Sequence, residues 1–400
     1  MALKKIIPAH KTNDVKYAIR DIIALADSVA KTGKQMYYLN IGDPNIYDFV
    51  TPDTVVNATC EAIRSNKNGY APSSGIKDAL DAIRLDANNK GIFNILDAFV
   101  TNGASEAIEI CLTALLNQGE NFLMPTPGYP LYTAVQSKLE LEPNPYYLDE
   151  SNGWQPDIED IKGKINSRTR AIVLINPNNP TGSICKPETL LEIVKLAKEH
   201  NLVILADEIY DKLIFDGKKM TSIAALDDEV SCITFSGLSK NYVAPGFRIG
   251  WGVVSGKQEI LGDYVEAINK LLRSRVSSNH PEQYAIVPAL QGDQSHLVEM
   301  VSRLERRRDL MIDALAKIDG IDLVPPEGAF YAFPTIKVRD DNHFVTQLIK
   351  ETGVIVVPGS GFGQRPGTSH FRIVTLPQEE VLTKAFALIA EFYSYYRNND

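Results

Sequence analysis

The sequence contains no apolar run long enough to span a bilayer. Its start, Met1-Ala2-Leu3-Lys4-Lys5-Ile6-Ile7-Pro8, has two lysines but lacks the apolar core and small-residue cleavage site of an export signal. Secretion and membrane insertion are therefore not expected. Cysteine is scarce: Cys60, Cys111, Cys185 and Cys232 lie far apart, in neither paired nor metal-ligand spacing, and read as reduced thiols of a cytoplasmic protein with no metal site. Positive charge is not in excess. A formal net charge of −9 opposes a general affinity for nucleic-acid phosphates. The one basic cluster, Arg303, Arg306, Arg307 and Arg308, falls on what the spacing of Leu304, Leu310 and Met311 marks as the wet face of a helix. Repeats, low-complexity tracts and flexible linkers are also missing, so the glycines and prolines serve as turn signals.

What is present is enough apolar material, 44% of 400 residues, for one large core and a smaller one. Between about residues 95 and 255 short apolar strands alternate with amphipathic helices. Strands over 98–101 and 121–124 precede helices over 104–116 and 132–139, and strands over 171–175 and 202–206 flank a helix opened by Pro187. Leu190, Ile193, Val194 and Ala197 form that helix's buried face. Such alternation predicts an α/β fold with a mostly parallel sheet wrapped by helices. The C-terminal third reads as a smaller α+β domain, with strands in 323–333, 354–357 and 370–376 and helices over 342–352 and 378–395. A long helix near 263–278 is expected to join the two.

Each strand of the large domain ends in unusual polar residues: Thr101-Asn102-Gly103-Ala104-Ser105, Pro125-Thr126-Pro127-Gly128-Tyr129, Asn176-Pro177-Asn178-Asn179, Asp207-Glu208-Ile209-Tyr210 and Ser236-Gly237-Leu238-Ser239-Lys240. Ligands of open parallel sheets bind outside the carboxyl ends of the strands, so these loops should share one crevice. Taken singly, each residue has an ordinary role. Lys240 reads as a loop cation, Ser105 as a helix cap, Asp207 as an N-cap, Arg248 as half of a surface ion pair, Tyr129 as a core ring and Asn179 as a turn former. Together they describe one ligand. An aldehyde meets the desolvated amine of Lys240, a protonated ring nitrogen meets Asp207, the ring face lies on Tyr129, and a phosphate meets Gly103, Ala104, Ser105 and Arg248. Pyridoxal phosphate has those parts.

The run Gly237-Leu238-Ser239-Lys240-Asn241-Tyr242-Val243-Ala244-Pro245-Gly246-Phe247-Arg248-Ile249-Gly250 resembles the lysine signature of class I aminotransferases, the aspartate aminotransferase fold group. Residues 176–182 and 206–210 resemble its other two motifs in order and spacing, and the likeness extends from about Tyr17 to the C-terminus. Leu39-Asn40-Ile41-Gly42-Asp43-Pro44 and Pro127-Gly128-Tyr129-Pro130-Leu131-Tyr132 are most similar to bacterial glutamate-pyruvate (alanine) aminotransferases.

The resemblance implies a seven-stranded sheet in a large cofactor-binding domain over 49–290. A small domain over 291–400 would be joined by an N-terminal arm over 1–48. It also implies roles. Lys240 would be the Schiff-base lysine and proton carrier, Asp207 the partner of the pyridinium, Tyr210 and Asn179 the holders of the ring oxygen. Arg372, with Gly42 and Asn179, would bind the substrate carboxylate, and Tyr70 would reach the phosphate of a neighbouring subunit's cofactor in a homodimer with shared sites. Serine is common three residues before the family's lysine, but here Gly237 stands there, leaving Ser236 and Ser239 as alternative phosphate ligands. The implied reaction is transfer of an amino group between L-alanine and 2-oxoglutarate through a pyridoxamine form. Tyr17, Arg20 and Tyr132 are expected near the side-chain pocket, with Arg20, Arg273 and Arg275 as candidate second cations. Alternatives are an aspartate or aromatic donor, β-elimination on the same cofactor, or a catalytically silent binding protein.

Overall fold

The computed structural model describes residues 5–13, 15 and 18–397, with side chains from residue 22 onward in the last segment. Its central sheet is built from apolar runs buried on both faces. In the strand Val203–Asp207, Val203 and Leu205 pack with Ile108, Leu112 and Leu261, whereas Ile204 and Ala206 join Leu190, Ile193 and Ala197 on the opposite side. The period of two thus feeds two helical layers at once, which is why the run is apolar without alternation. Helix Pro187–Glu199 starts with proline where a free N–H is not needed and buries the face expected of it. Leu190 is fully buried there, a burial that contributes about 2 kcal/mol.

The sheet has eight strands where seven were expected; the order is Ile95–Asn102, Ile249–Ser255, Cys232–Gly237, Val203–Asp207, Thr169–Ile175, Asn121–Thr126, Pro145–Asp149 and Gln155–Pro156. The last is a two-residue edge strand antiparallel to its neighbour, too short to show a period in the sequence. The five strands from Cys232–Gly237 through Pro145–Asp149 are mutually parallel, and Ile249–Ser255 runs antiparallel to both its neighbours.

A second core gathers Ile22, Ala26 and Leu39 with Phe344, Leu348, Leu382, Phe386 and Ile389. The N-terminal segment enters it through Tyr37–Tyr38, which pairs in parallel with Val354–Ile355. Strand Phe371–Val374 lies between Tyr331–Ala332 and Val357–Pro358, antiparallel to both, and so carries Arg372 toward the large sheet.

Two expectations need correction. The long helix, Gln258–Ser274, does not join the two cores: its Leu261, Ile268 and Leu272 are buried in the large one. Helix Ser295–Leu315 bridges instead, with Leu297, Met300 and Leu304 in the cluster around Tyr331 and with Met311 and Leu315 in the second core. The arginine cluster is a wet face only in part: Arg306 is exposed and Arg303 half-buried, but Arg307 and Arg308 are buried. Arg307 is 1% exposed, bonded to Asp48 at 2.6 Å and stacked on Phe49, while Arg308 makes a two-pronged bond to Asp216 at 2.7 and 2.8 Å over the Phe215 ring. Partners remote in sequence neutralise both charges, and planar guanidinium is suited to such burial.

Candidate active site

Strand register brings the polar loops together. Asp207 pairs with both Ile175 and Phe235, Gly237 with Gly250, and Asn102 with Ile249, so the loops after these strands and the turn before Ile249 open onto one space. That space is a cavity of about 450 Å³. Gly42, Ala104, Ser105, Tyr129, Asn179, Asp207, Tyr210, Ser239, Lys240, Arg248 and Arg372 all line it. Tyr70 does not; it stands 85% exposed on the surface of the isolated chain. Ser236 is also absent from the lining, being buried in the strand opposite Trp251. Of the two alternative hydroxyls, Ser239 is therefore the one that faces the cavity.

Lys240 donates from Nζ to the Gly42 carbonyl at 2.7 Å. Burial pushes its amine down to about 8; Asp43 opposes that shift, whereas Arg372 and Arg248 add to it. Asp207 ends its strand fully enclosed. Burial pushes its carboxyl up to about 6, against the Ile209 N–H, the Tyr132 hydroxyl at 3.2 Å and the charge of Lys240. Tyr132, expected at the substrate pocket, is thus a support beneath Asp207, and burial holds its own hydroxyl well above the usual range.

Gly103 precedes helix Ala104–Leu115 with φ 81° and ψ 159°, a conformation open essentially to glycine alone. A Cβ there would stand 2.5 Å from Nη2 of Arg248. Arg248 therefore lies directly across Gly103, its guanidinium bonded to the Asn102 carbonyl at 3.3 Å and the Pro245 carbonyl at 3.2 Å, beside the first turn of the helix. A basic fork and a helix N-terminus meet in one place, which suits an anion.

Arg372 is 1% exposed, bonded to Asn179 Oδ1 at 3.3 Å and the Asn40 carbonyl, and enclosed between the rings of Tyr331 and Phe362 at 4.8 and 4.7 Å. Two of the candidate second cations lie elsewhere. Arg273 pairs with Glu266, and Arg275 is turned to the carbonyls of Val100 and Ser73. Tyr17 lies outside the described residues, as does the side chain of Arg20.

Two polar lining residues were not expected from the sequence, Asp43 and Tyr331. Asp43 stands beside the quoted Gly42, so adjacency was an available signal; Tyr331 looked like an ordinary core aromatic of its strand.

Behind the loop 207–210 lies a charged network. Lys90 bridges Asp86 and Asp211, Lys212 also reaches Asp86 at 3.2 Å, and Asn241 donates to Asp211 at 2.6 Å. It ties the Asp207 loop to the residue after Lys240.

The profile of aminotransferases of class I and II matches residues 36–388. The chain belongs to that family. This aminotransferase is 38% identical to the glutamate-pyruvate aminotransferase AlaA of Escherichia coli (strain K12), over 98% of this chain and 99% of that one. It is 39% identical to the alanine aminotransferase of Mycobacterium bovis, over 97% of this chain and 92% of that one. Among solved structures, the alanine aminotransferase of Pyrococcus furiosus superposes with a TM-score of 0.94 at 38% identity, covering 97% of this chain and 100% of that one. The aminotransferase thus shares its large, mostly parallel sheet and smaller second unit with that structure over nearly its whole length.

Proposed function

We propose that this aminotransferase exchanges an amino group between L-alanine and 2-oxoglutarate, using pyridoxal phosphate held in the Lys240 cavity. The observation that carries the reading is a single cavity bordered by a lysine of lowered basicity, a buried carboxylate and a buried arginine, Lys240, Asp207 and Arg372. The alanine assignment is supported by the names of relatives matched over nearly the full chain.

The residues suit that cofactor. Asp207 is a buried carboxyl whose hydrogen-bond donors are the neutral Tyr132 hydroxyl and Ile209 N–H, a charge deficit that a cationic ring N–H would fill. The phosphate would lie against Ala104, Ser105, Ser239 and Arg248, where Gly103 keeps the backbone open. Tyr129 would face the ring, and Tyr210 and Asn179 would hold its oxygen. When bound, pyridoxal phosphate supplies an electron sink for negative charge at the substrate Cα.

The protein does the rest. Arg372 would fix the substrate carboxylate in two-pronged form beside Asn179 and Gly42. Lys240 would hold the cofactor through its amine, and the same Nζ would move the proton at the substrate Cα. An amine lowered to about 8 is suited to that task, since a usable fraction is neutral near physiological pH. Asp207 would keep the ring nitrogen protonated throughout.

We read the chain as a large domain over 49–290 and a small one over 291–400 with the arm 1–48, so that Lys240 and Arg372 approach the substrate from different domains. Exposed Tyr70 is taken to reach a neighbouring subunit's phosphate in a cytoplasmic homodimer. The test is a donor panel: the loaded protein, 2-oxoglutarate and each L-amino acid, with glutamate formation as the readout. Alanine should be the fastest donor. A faster rate with aspartate or an aromatic amino acid would overturn the alanine assignment, and ammonia release from a cystathionine-like compound would indicate elimination instead.

A further inference from the structure

Tyr331 stands where the two halves of the cavity meet. Its hydroxyl is 2.9 Å from that of Tyr210. It also lies so close to the backbone of Gly42 that a Cβ on residue 42 would come within 2.3 Å of it, and Gly42 in turn accepts from Lys240. The face of the same ring carries the Arg372 guanidinium at 4.8 Å. Tyr331 reaches this position from the strand Tyr331–Ala332, paired with the strand that bears Arg372, whereas Tyr210 and Lys240 come from the loops of the large sheet. One side chain therefore touches the tyrosine beside the cofactor ring, the glycine beside Lys240 and the arginine that awaits the carboxylate.

We infer that Tyr331 is a positioning residue of the transamination site, its hydroxyl setting the donor strength of Tyr210 and its ring the orientation of Arg372. The inference rests on the pyridoxal phosphate reading above. In the loaded site the Tyr210 proton is committed to the cofactor's ring oxygen, which leaves Tyr331 as the donor between the two hydroxyls. A phenol that accepts a hydrogen bond becomes a better donor itself. Tyr210 would then favour the deprotonated, anionic ring oxygen, and the cofactor's visible absorbance would titrate at lower pH than it does without Tyr331. The ring acts separately: with the guanidinium over its face, it restricts the orientation of a fork that must meet a planar carboxylate.

Two substitutions separate the roles. Tyr331→Phe keeps the ring and deletes the hydroxyl; the pH midpoint of cofactor absorbance should rise by about 0.3 unit, with KM for alanine little changed. Tyr331→Leu deletes both, and should add a rise in KM of roughly tenfold for alanine and 2-oxoglutarate alike, which the phenylalanine variant does not show. An unmoved midpoint in Tyr331→Phe, or an equal KM in the two variants, would overturn the assignment while the wild-type protein still bound cofactor and used alanine. Failure of the wild-type protein to bind pyridoxal phosphate at all would instead overturn the functional reading, and this inference with it.

Discussion

Replacing Arg372 with lysine keeps a positive charge in the cavity wall but removes the fork, and the cost follows from the site. The guanidinium is 1% exposed, lies between two aromatic rings and is bonded to Asn179 and the Asn40 carbonyl, so its plane is fixed before substrate arrives. Two charge-assisted bonds to a carboxylate contribute about 1.5–3 kcal/mol each. Lysine retains one of them, without the fixed plane. Loss of about 2 kcal/mol corresponds to a fall of roughly thirtyfold in kcat/KM. Alanine at the same position removes both bonds, and the fall should approach a thousandfold. The α-carboxylate is common to the amino acid and the oxo acid, so steady-state kinetics should show the same loss for L-alanine and for 2-oxoglutarate. Circular dichroism and a thermal melt check that the variants fold. A kcat/KM within threefold of wild type for either substrate, in a folded Arg372→Lys protein, would remove Arg372 from the carboxylate site.

Further substitutions test the support around the site. Gly103→Ala puts a methyl group where Nη2 of Arg248 lies and asks an L-residue to hold φ 81°, so pyridoxal phosphate affinity should fall by at least about tenfold and stability by about 1–3 kcal/mol; equilibrium dialysis and urea denaturation would show both. Glu208 is pushed by burial from its ordinary 4.5 up to about 7. Its folded-state value is raised, so the stability it contributes is full below 4.5 and is lost as pH rises through about 7. Glu208→Gln cannot lose that proton, so denaturation should show the variant gaining on wild type between pH 5 and 8 by an amount on the order of 2–3 kcal/mol. Parallel pH profiles for the two proteins would refute the assignment.

The parts of the site that were legible in the sequence are those whose signal is local. Lys240, Asn179 and Ser105 each follow an apolar strand within a few residues and Asp207 ends one, so strand ends and loop chemistry were read from the same short window. The parallel sheet was legible for a similar reason: its strands are apolar without alternation because both faces are covered. What stayed hidden depends on contacts between distant segments. Tyr331 is 121 positions from Tyr210, and nothing in its aromatic strand announces that its hydroxyl emerges in the cavity. Arg307 and Arg308 looked solvated because Asp48 and Asp216, which let them be buried, are far away in the chain. Which of Ser236 and Ser239 lines the cavity depends on where the strand stops: Cys232–Gly237 keeps Ser236 in the sheet and leaves Ser239 in the turn that faces the cavity.

The most direct test of the central claim is pyruvate formation from L-alanine and 2-oxoglutarate by the wild-type protein and by Lys240→Ala, both supplied with pyridoxal phosphate. The cofactor aldehyde and the Cα proton are both assigned to this one amine, so wild type should form pyruvate and glutamate in equal amounts while the variant retains no more than roughly a thousandth of that rate. Comparable pyruvate production by a folded Lys240→Ala protein would contradict the account.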